Sequence, residues 1–513
     1  MLNSRMEFKG LVADMTENPE REIVRARFVH YFLLLLSMGL VAVLGFYSIA
    51  DKSLWLDEAF SVALARLDWS ELWQAITVRE ANMGLYYLLL HYWVQLGTGE
   101  FAVRSLSAIT AIVSIAPVYG IGARLFDVNT GITASLLLAL NAFFIQHAQE
   151  ARGYALVLLL TATSAYFFLK AIDKPSVKSW GAYAAIGALS VYAHFFGAWV
   201  IAANFVSGLA LRGSAQKRNL VLSNLIIVIL ISPLLAQILI PNAHSSHLGW
   251  LAKPSLRTLA HFFSAFTGYG GRILIIVYAV VCGYALLSAW SQARRTHGRL
   301  ISWEYAFLCS WLFLPVFGSF LFSILFKPIF YPRFLIISLP PLVLIAADGL
   351  QKLRPAWLKL TTALLLLVLS SQGLVALYSG GCCRKEDWRA ATKYVLDNSV
   401  TGDGMVFQGP HARIAFEYYL QALGSQSGAL QPVVPSDPWG TLDLTKGRSE
   451  WLYRSPQQDQ RLWLVLAYRA FVKGPSTAVS DWLPASFQSQ YCFRGMRSFQ
   501  SIEVIQFQPC PRP

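Results

Sequence analysis

Between residues 28 and 378 the chain repeats one pattern, an apolar run of spanning or near-spanning length followed by a short polar break. Eleven such runs can be read, at 28–49, 101–124, 131–146, 153–171, 181–196, 197–211, 220–240, 273–290, 303–326, 334–347 and 358–378. About 20 apolar residues cross a bilayer as a helix, and within lipid a helix satisfies its own backbone hydrogen bonds. The runs on either side of His194-Phe195-Phe196-Gly197 also read as one bent segment, because length alone does not separate them. Only 14% of residues are charged, against roughly 25% in soluble domains, as expected of a chain held mostly in lipid.

Charge then sets the orientation. A net charge of +14 would suggest nucleic acid in a soluble protein. Here the basic residues sit in short loops: Lys174 and Lys178; Arg212, Lys217 and Arg218; Arg294, Arg295 and Arg299; Lys352, Arg354 and Lys359. With eleven spans, all four groups fall on the side of the N-terminus, and the positive-inside rule makes that side cytoplasmic. Membrane lipids are therefore the expected partners and nucleic acid is not. Residues 1–27 read as a polar cytoplasmic segment without a small-residue cleavage site. The first run is expected to stay as an anchor in the cell (inner) membrane.

Three segments then face outward. The loop 50–100 is polar and aromatic, with half-apolar stretches such as Leu67-Asp68-Trp69-Ser70-Glu71-Leu72-Trp73 that read as interfacial helices. The loop 241–272, with Gly268, Gly270 and Gly271 and the histidines His244, His247 and His261, reads as mobile. From about residue 379 the composition changes: helical spacing at 387–395 and 412–423 alternates with strand-like Met405-Val406-Phe407 and 462–466. This predicts a small extracytoplasmic α/β domain over 379–513, long enough to bury its own core. No nucleotide-binding loop or catalytic signature is visible in it. The expected fold is thus a multi-pass α-helical membrane domain over 28–378 with a C-terminal α/β domain. Cys282 and Cys309 lie in apolar runs and read as inert thiols. Cys382, Cys383, Cys492 and Cys510 share the outward tail, where disulfides are permitted. Of the three pairings four cysteines allow, each of the neighbours Cys382 and Cys383 is expected to join a distant partner.

The chemistry-bearing residues gather at the outward ends of the runs. Asp57 and Glu58 follow the first, in Ser53-Leu54-Trp55-Leu56-Asp57-Glu58-Ala59-Phe60. An acidic dipeptide is often no more than a helix cap, but the apolar neighbours and Trp55 place this one at the interface. A carboxylate partly removed from water holds its proton more tightly and serves as a general base for a hydroxyl or amine; two adjacent carboxylates could instead hold a divalent cation. Glu80, in Arg79-Glu80-Ala81-Asn82-Met83-Gly84-Leu85-Tyr86-Tyr87, is weighed between an exposed loop acid and a site residue, and Tyr86 and Tyr87 between interface anchors and substrate contacts. The hairpin Gln146-His147-Ala148-Gln149-Glu150-Ala151-Arg152-Gly153-Tyr154 carries more polar groups than a turn needs. Glu150 and Arg152 read as an internal charge pair or as a second wall of a site facing Asp57. Lys327 and Arg333 flank a proline-containing turn on the outer side, against the charge bias. They are either snorkelling anchors or ligands of an anionic headgroup. His194 reads as a structural residue.

Taken in order, several of these segments resemble bacterial members of glycosyltransferase family 39. They are the Asp-Glu pair after the first span, the Tyr-Tyr segment opening the second, and the Gln-Glu-Ala-Arg-Gly-Tyr hairpin at 149–154. With them go the run Tyr331-Pro332-Arg333-Phe334-Leu335-Ile336-Ile337-Ser338-Leu339-Pro340-Pro341 and the segment Asp387-Trp388-Arg389-Ala390-Ala391. The family lies in the GT-C group, with protein O-mannosyltransferases and the lipid A aminoarabinose transferase. The likeness covers most of the chain and is strongest over 50–160 and 327–395. It implies a GT-C fold, a polyprenyl-phosphate sugar donor and inverting transfer to a lipid, glycan or protein acceptor on the outer face. By position, Asp57 would be the base or acceptor-orienting carboxylate, with Glu58 beside it. Glu80 and Glu150 would line the site, and Arg152 and Arg333 would contact phosphate. A metal is not required, since the donor already carries its leaving group. The chain departs from many relatives at Asn82-Met83-Gly84, where they have His-Pro-Pro before the tyrosine pair; a rigid turn and an imidazole are thereby missing. Two other classes compete. A transporter of lipid-linked glycans predicts polar residues strung through mid-span positions, and a membrane-anchored interaction protein needs far fewer spans.

Overall fold

Each apolar run forms helix. The structure is a computed structural model, and it describes residues 19–78, 80–211, 213–239, 251–297, 301–407, 410–424, 430–434, 460–467 and 490–511. Helix α1 (Pro19–Phe46) begins well inside the segment read as a polar tail. Three short helices follow, α2 (Leu56–Ala65), α3 (Trp69–Val78) and α4 (Gly84–Trp93), before α5 (Glu100–Leu125). Next come α6 (Val128–Ala139), α7 (Ala142–Ala148), α8 (Tyr154–Asp173), α9 (Val177–Ala193), α10 (Gly197–Leu209) and α11 (Ser214–Leu239). The helical body is completed by α12 (Leu256–Phe266), α13 (Gly271–His297), α14 (Trp303–Leu325), α15 (Leu339–Lys352, preceded by the 3-10 turn Pro332–Ser338) and α16 (Ala356–Tyr378).

Among the described residues, eight helices are long and apolar enough to cross a membrane, and the pair α6–α7, bent by 66°, makes a ninth if taken as one span. Nine of the eleven runs of spanning or near-spanning length are thereby accounted for, and the other two are α9 and α10. Helices α9 and α10, of 17 and 13 residues, fall short of the roughly 20 that a bilayer requires. They still run between the same two faces as their neighbours. The Phe195 N–H at their junction donates to Asn82 Oδ1 (3.1 Å) on the face that carries the 50–100 loop. On the opposite face the Gln216 amide, at the start of α11, donates to the Ile172 carbonyl (3.2 Å). Extended backbone at His194 (φ −168°, ψ 134°) breaks the helix there and makes two elements of the ambiguous pair.

The segment Pro332–Lys352 is 89% buried over its most apolar window, against 17% for α1, so it is the central span and α1 a peripheral one. Helices α5 and α6 meet through glycines: a Cβ on Gly122 would lie 2.7 Å from Gly131 Cα, an approach only glycine permits. The loop 241–272, expected to be mobile, contains α12. A capping box at Ser255 and Thr258 opens that helix, and its spaced aromatics bury Phe262 and Phe266 against Phe330 and Phe143. His244 and His247 lie outside the described residues, and His261 is exposed.

The tail holds α17 (Trp388–Asn398), β1 (Asp403–Phe407), α18 (Pro410–Ala422), β2 (Leu430–Val434), β3 (Leu462–Ala467), β4 (Tyr491–Phe499) and β5 (Ile502–Pro509). The strands form one sheet in the order β2-β1-β3-β5-β4, parallel across β2, β1 and β3 and antiparallel across β3, β5 and β4. Both helices and strands β1 and β3 fall where the sequence predicts them, and the β4–β5 hairpin is an addition. That hairpin also corrects the disulfide expectation. Its antiparallel pairing brings Cys492 and Cys510 to a Cα–Cα distance of 5.0 Å, and they are bonded to each other, within ordinary disulfide reach. Cys382 and Cys383 remain thiols.

Candidate active site

Asp57 and Glu58 occupy the first turn of α2, where the unpaired N–H groups favour negative charge. Trp55 is the N-cap, and Glu58 reaches back to its N–H (3.3 Å). One step along a helix turns a side chain by about 100°, so the neighbours face different partners. Glu58 is fully buried. Arg104 grips it bidentately, Nε to Oε1 at 2.8 Å and Nη2 to Oε2 at 2.7 Å, and the Ala151 N–H donates to Oε1 at 2.9 Å. Burial alone would raise the pKa of this carboxyl; Arg104, and then Lys385, reverse that and hold it below the usual range. The remaining donors of Arg104 go to the carbonyls of Ile49, Lys52 and Ser53 (2.7, 2.7 and 2.9 Å), which pins the loop leading to α2. Asp57 points the other way. Its side chain is 31% exposed, with Oδ2 3.0 Å from Arg333 Nη2. The two carboxylates therefore do not converge on one cation. Among the described residues no three of His, Cys, Asp and Glu come together as metal ligands.

The hairpin 146–154 packs against α2 from the other side. Arg152 Nη1 donates to the Asp57 carbonyl (3.3 Å), Ser61 Oγ (3.1 Å) and the Tyr87 hydroxyl (3.2 Å). Glu150 is buried and meets His147 Nδ1 at 2.8 Å, Lys385 Nζ at 3.1 Å and the Gln146 amide at 3.3 Å. Burial opposes its ionisation, but Lys385 and His147 hold its carboxyl well below the usual range. Glu80 is placed near the same group: burial pushes its pKa up to about 7 against the pull of Arg152, and the charge of Asp57 adds to the rise. Arg333 sits among the rings of Trp55 and Tyr331 (5.0 Å each), Phe334 (5.6 Å) and Tyr154 (5.8 Å), where a guanidinium gains from the ring faces. Asp57, Glu80, Tyr87, Arg152 and Arg333 thus come together around one face, while Glu58 and Glu150 form a buried layer beside it. Tyr86 is turned inward, its hydroxyl 3.0 Å from Ser107 Oγ. Lys327 is exposed just beyond α14. His194 accepts the Phe196 N–H (3.1 Å), a structural role.

Sequence reasoning missed Arg104, His147 and the contribution of the tail. Lys385 comes from the strap between α16 and α17. Its Nζ lies 3.1 Å from Glu150 and 3.8 Å from Glu58, and 5.4 Å from the centre of the Trp55 ring. The same strap is clasped to the Asp57 loop. Ser53 Oγ donates to the Glu386 carbonyl (2.8 Å) and accepts the Trp388 N–H (3.1 Å). Arg389 reaches the Ala50 carbonyl (2.9 Å) and Glu100 (2.7 Å), and the Tyr419 hydroxyl accepts the Leu54 N–H (2.6 Å). Two signals were available: Arg104 near the start of the apolar run 101–124, where a charge is expensive in lipid unless it is used, and the charged run 384–387 straight after the last span.

Residues 83–236 match the family model described as dolichyl-phosphate-mannose-protein mannosyltransferase, a segment that includes Tyr86, Tyr87, Glu150 and Arg152. Among solved structures, ArnT from Cupriavidus metallidurans in the apo state is similar with a TM-score of 0.63 and 12% identity, over 92% of this chain and 97% of that one. The same protein bound to undecaprenyl phosphate gives 0.60 at 12% identity with the same coverage. The Archaeoglobus fulgidus oligosaccharyltransferase in the apo form gives 0.50 at 11% identity, over 79% of this chain and 64% of that one. No curated protein sequence matches. At such identities the structural likeness is one of fold. The resemblance to GT-C enzymes read from the sequence is borne out at the level of fold: the chain has the multi-pass helical fold of these solved structures.

Proposed function

We propose that this protein moves a sugar from a polyprenyl-phosphate donor to a lipid, glycan or protein acceptor on the membrane face that bears the tail domain. Four basic loops lie on the other side, which makes the tail face the outer face of the cell (inner) membrane. The observation that carries the reading is the setting of Asp57: a partly exposed carboxylate paired with Arg333 (3.0 Å) at the mouth of the spans, with Arg152, Tyr87 and Glu80 beside it. The apo ArnT likeness, and the fact that the same enzyme has been solved with undecaprenyl phosphate, support the donor class.

In this reading Arg333 is the anion clamp. Its collar of rings keeps competing water away, so its charge acts strongly on a phosphate. When a donor phosphate engages the guanidinium, the Asp57–Arg333 pair opens and Asp57 becomes available as a base. The acceptor hydroxyl or amine gives its proton to Asp57 as it attacks the anomeric carbon from the side opposite the phosphate. The carbon–oxygen bond to phosphate breaks, and the phosphate leaves with the electron pair, held by Arg333. One displacement inverts the centre. Arg152 fixes the backbone of Asp57 through its carbonyl, and Glu80 helps to hold the acceptor. Glu58, whose oxygens are taken by Arg104 and by backbone N–H groups, positions the loop and does not carry protons.

The test is transfer of label by the purified protein from a panel of radiolabelled polyprenyl-phosphate sugars into a membrane lipid extract. Asp57→Asn should lower the rate by about 100- to 10,000-fold with thermal unfolding unchanged. Undiminished transfer by that variant overturns the role of Asp57. Failure of every donor overturns the transferase reading and favours transport.

A further inference from the structure

A small cavity lies beside the site, walled by Ser48 beyond the first span, Leu377 at the end of the last, and the strap that carries Lys385; Lys52 and Gln149 also line it. Its charges do not balance. Arg104 borders the cavity too, but all five of its N–H donors are engaged with Glu58 and three carbonyls. Lys52 donates to the Leu377 carbonyl at 2.9 Å, and among the described residues no carboxylate lies within ion-pair distance of it. Lys385 has one acid at hydrogen-bonding distance, Glu150 at 3.1 Å, with Glu58 farther off at 3.8 Å. Each ammonium carries three donors, so both lysines keep bonding capacity at a shared cavity.

We propose that Lys52 and Lys385 frame a second anion site, separate from the Asp57–Arg333 face, that takes a phosphate group. Two half-buried ammoniums beside one another repel, and an anion between them removes that cost. Burial presses the Lys52 ammonium toward its neutral form and Lys385 adds to the pressure, which an anion would relieve. Lysine binds phosphate as a point charge and does not need the planar fork of arginine. The walls are the ends of the first and last spans on the tail-domain face, the level at which lipid phosphates lie. The space is about 20 Å³, room for about one water-sized group, so a phosphate oxygen enters between the lysines and the rest of the group stays at the mouth. Occupancy would draw Lys385 from Glu150 toward the anion and so couple this site to the buried acids. The inference stands on these charges and does not rest on the transferase reading.

Binding of inorganic phosphate to the purified full chain in phosphatidylcholine nanodiscs, measured by equilibrium dialysis, tests the site. Retention of phosphatidate from doped nanodiscs, counted by native mass spectrometry, tests the lipid source. Lys52→Gln and Lys385→Gln should each weaken the bound anion about tenfold, the loss of one charge-assisted hydrogen bond, while Lys52→Arg retains binding and shows that the fold is intact. Arg333→Gln should remove only phosphate held at the Asp57 face and leave the lysine-dependent component in place. Dependence of phosphatidate alone on Lys52 assigns a lipid headgroup, and dependence of inorganic phosphate alone assigns a free anion. Wild-type affinity for both probes in both glutamine variants overturns the proposal, as does binding that only Arg333→Gln abolishes.

Discussion

At the scale of single residues, two adjacent carboxylates have opposite fates because one helical step separates the faces they look out from. Glu58 is buried against Arg104, and removing one member of such a pair strands the other charge out of water. Arg104→Met should cost about 3–5 kcal/mol, read as a large fall in unfolding temperature, whereas Asp57→Asn should leave that temperature unchanged. Equal unfolding of the two variants would contradict the division of roles. Glu386 supplies a pH test. It is 1% exposed, and burial, with the charge of Asp57, raises its pKa from 4.5 to about 7 against the pull of the backbone N–H groups of Glu386 and Leu56 and of Lys385. The folded state therefore holds a proton that the unfolded chain releases between those values. This contribution to stability is present below the unfolded pKa and is lost as pH rises through the folded one. Glu386→Gln should flatten the decline of unfolding temperature between pH 5 and pH 8, and an unchanged slope would show that Glu386 does not titrate there. The acids themselves were legible in the sequence. Their partners were not, since Arg104 lies 46 residues from Glu58 and Lys385 far beyond that, and no local spacing encodes such contacts.

At the scale of elements, the strap between α16 and α17 joins the membrane body to the tail. Its hold on the Asp57 loop runs through Ser53, which donates to one strap carbonyl and accepts one strap N–H. Ser53→Ala leaves the Trp388 N–H buried without that acceptor, at a cost of about 1–3 kcal/mol. Because the same loop carries Asp57, kcat should fall as well, and Ser53→Thr should restore both. Stability lost with kcat intact would mean that the clasp holds the domain but does not set the base. The sequence predicts α17 from its helical spacing, and the Asp387 side chain does cap it by accepting the Ala390 N–H (3.0 Å). Its docking is a tertiary event that spacing does not record. Helix α12 was hidden differently: the glycines that follow it drew attention from the apolar spacing of Leu259, Phe262 and Phe266. The β4–β5 hairpin escaped because much of β4 is exposed and polar, with Arg494, Gly495 and Arg497 interrupting any apolar alternation.

At the scale of the molecule, periodicity and charge were enough to lay out the helical body, because lipid forces every backbone group into helix and leaves few topologies. Length was the weak measure. Helices α9 and α10 are short for a bilayer and lie between longer neighbours, so a count by length departs from the number of segments that run face to face. Orientation depends on that number, since it puts the four basic loops together on one side and Asp57 with the tail on the other. The Cys492–Cys510 bond bears on the same question, because a disulfide persists on the oxidising side of the membrane. The two arguments are independent, and both support the orientation proposed above. It can be checked with single cysteines in a chain whose four free cysteines are replaced by serine. Asp397→Cys, on the exposed side of α17, should react with a membrane-impermeant maleimide in intact cells. Lys178→Cys, exposed in the first turn of α9, should react only after permeabilisation. The reverse pattern would invert the protein, place the tail disulfide in a reducing compartment, and put the Asp57 face out of reach of any acceptor outside the membrane.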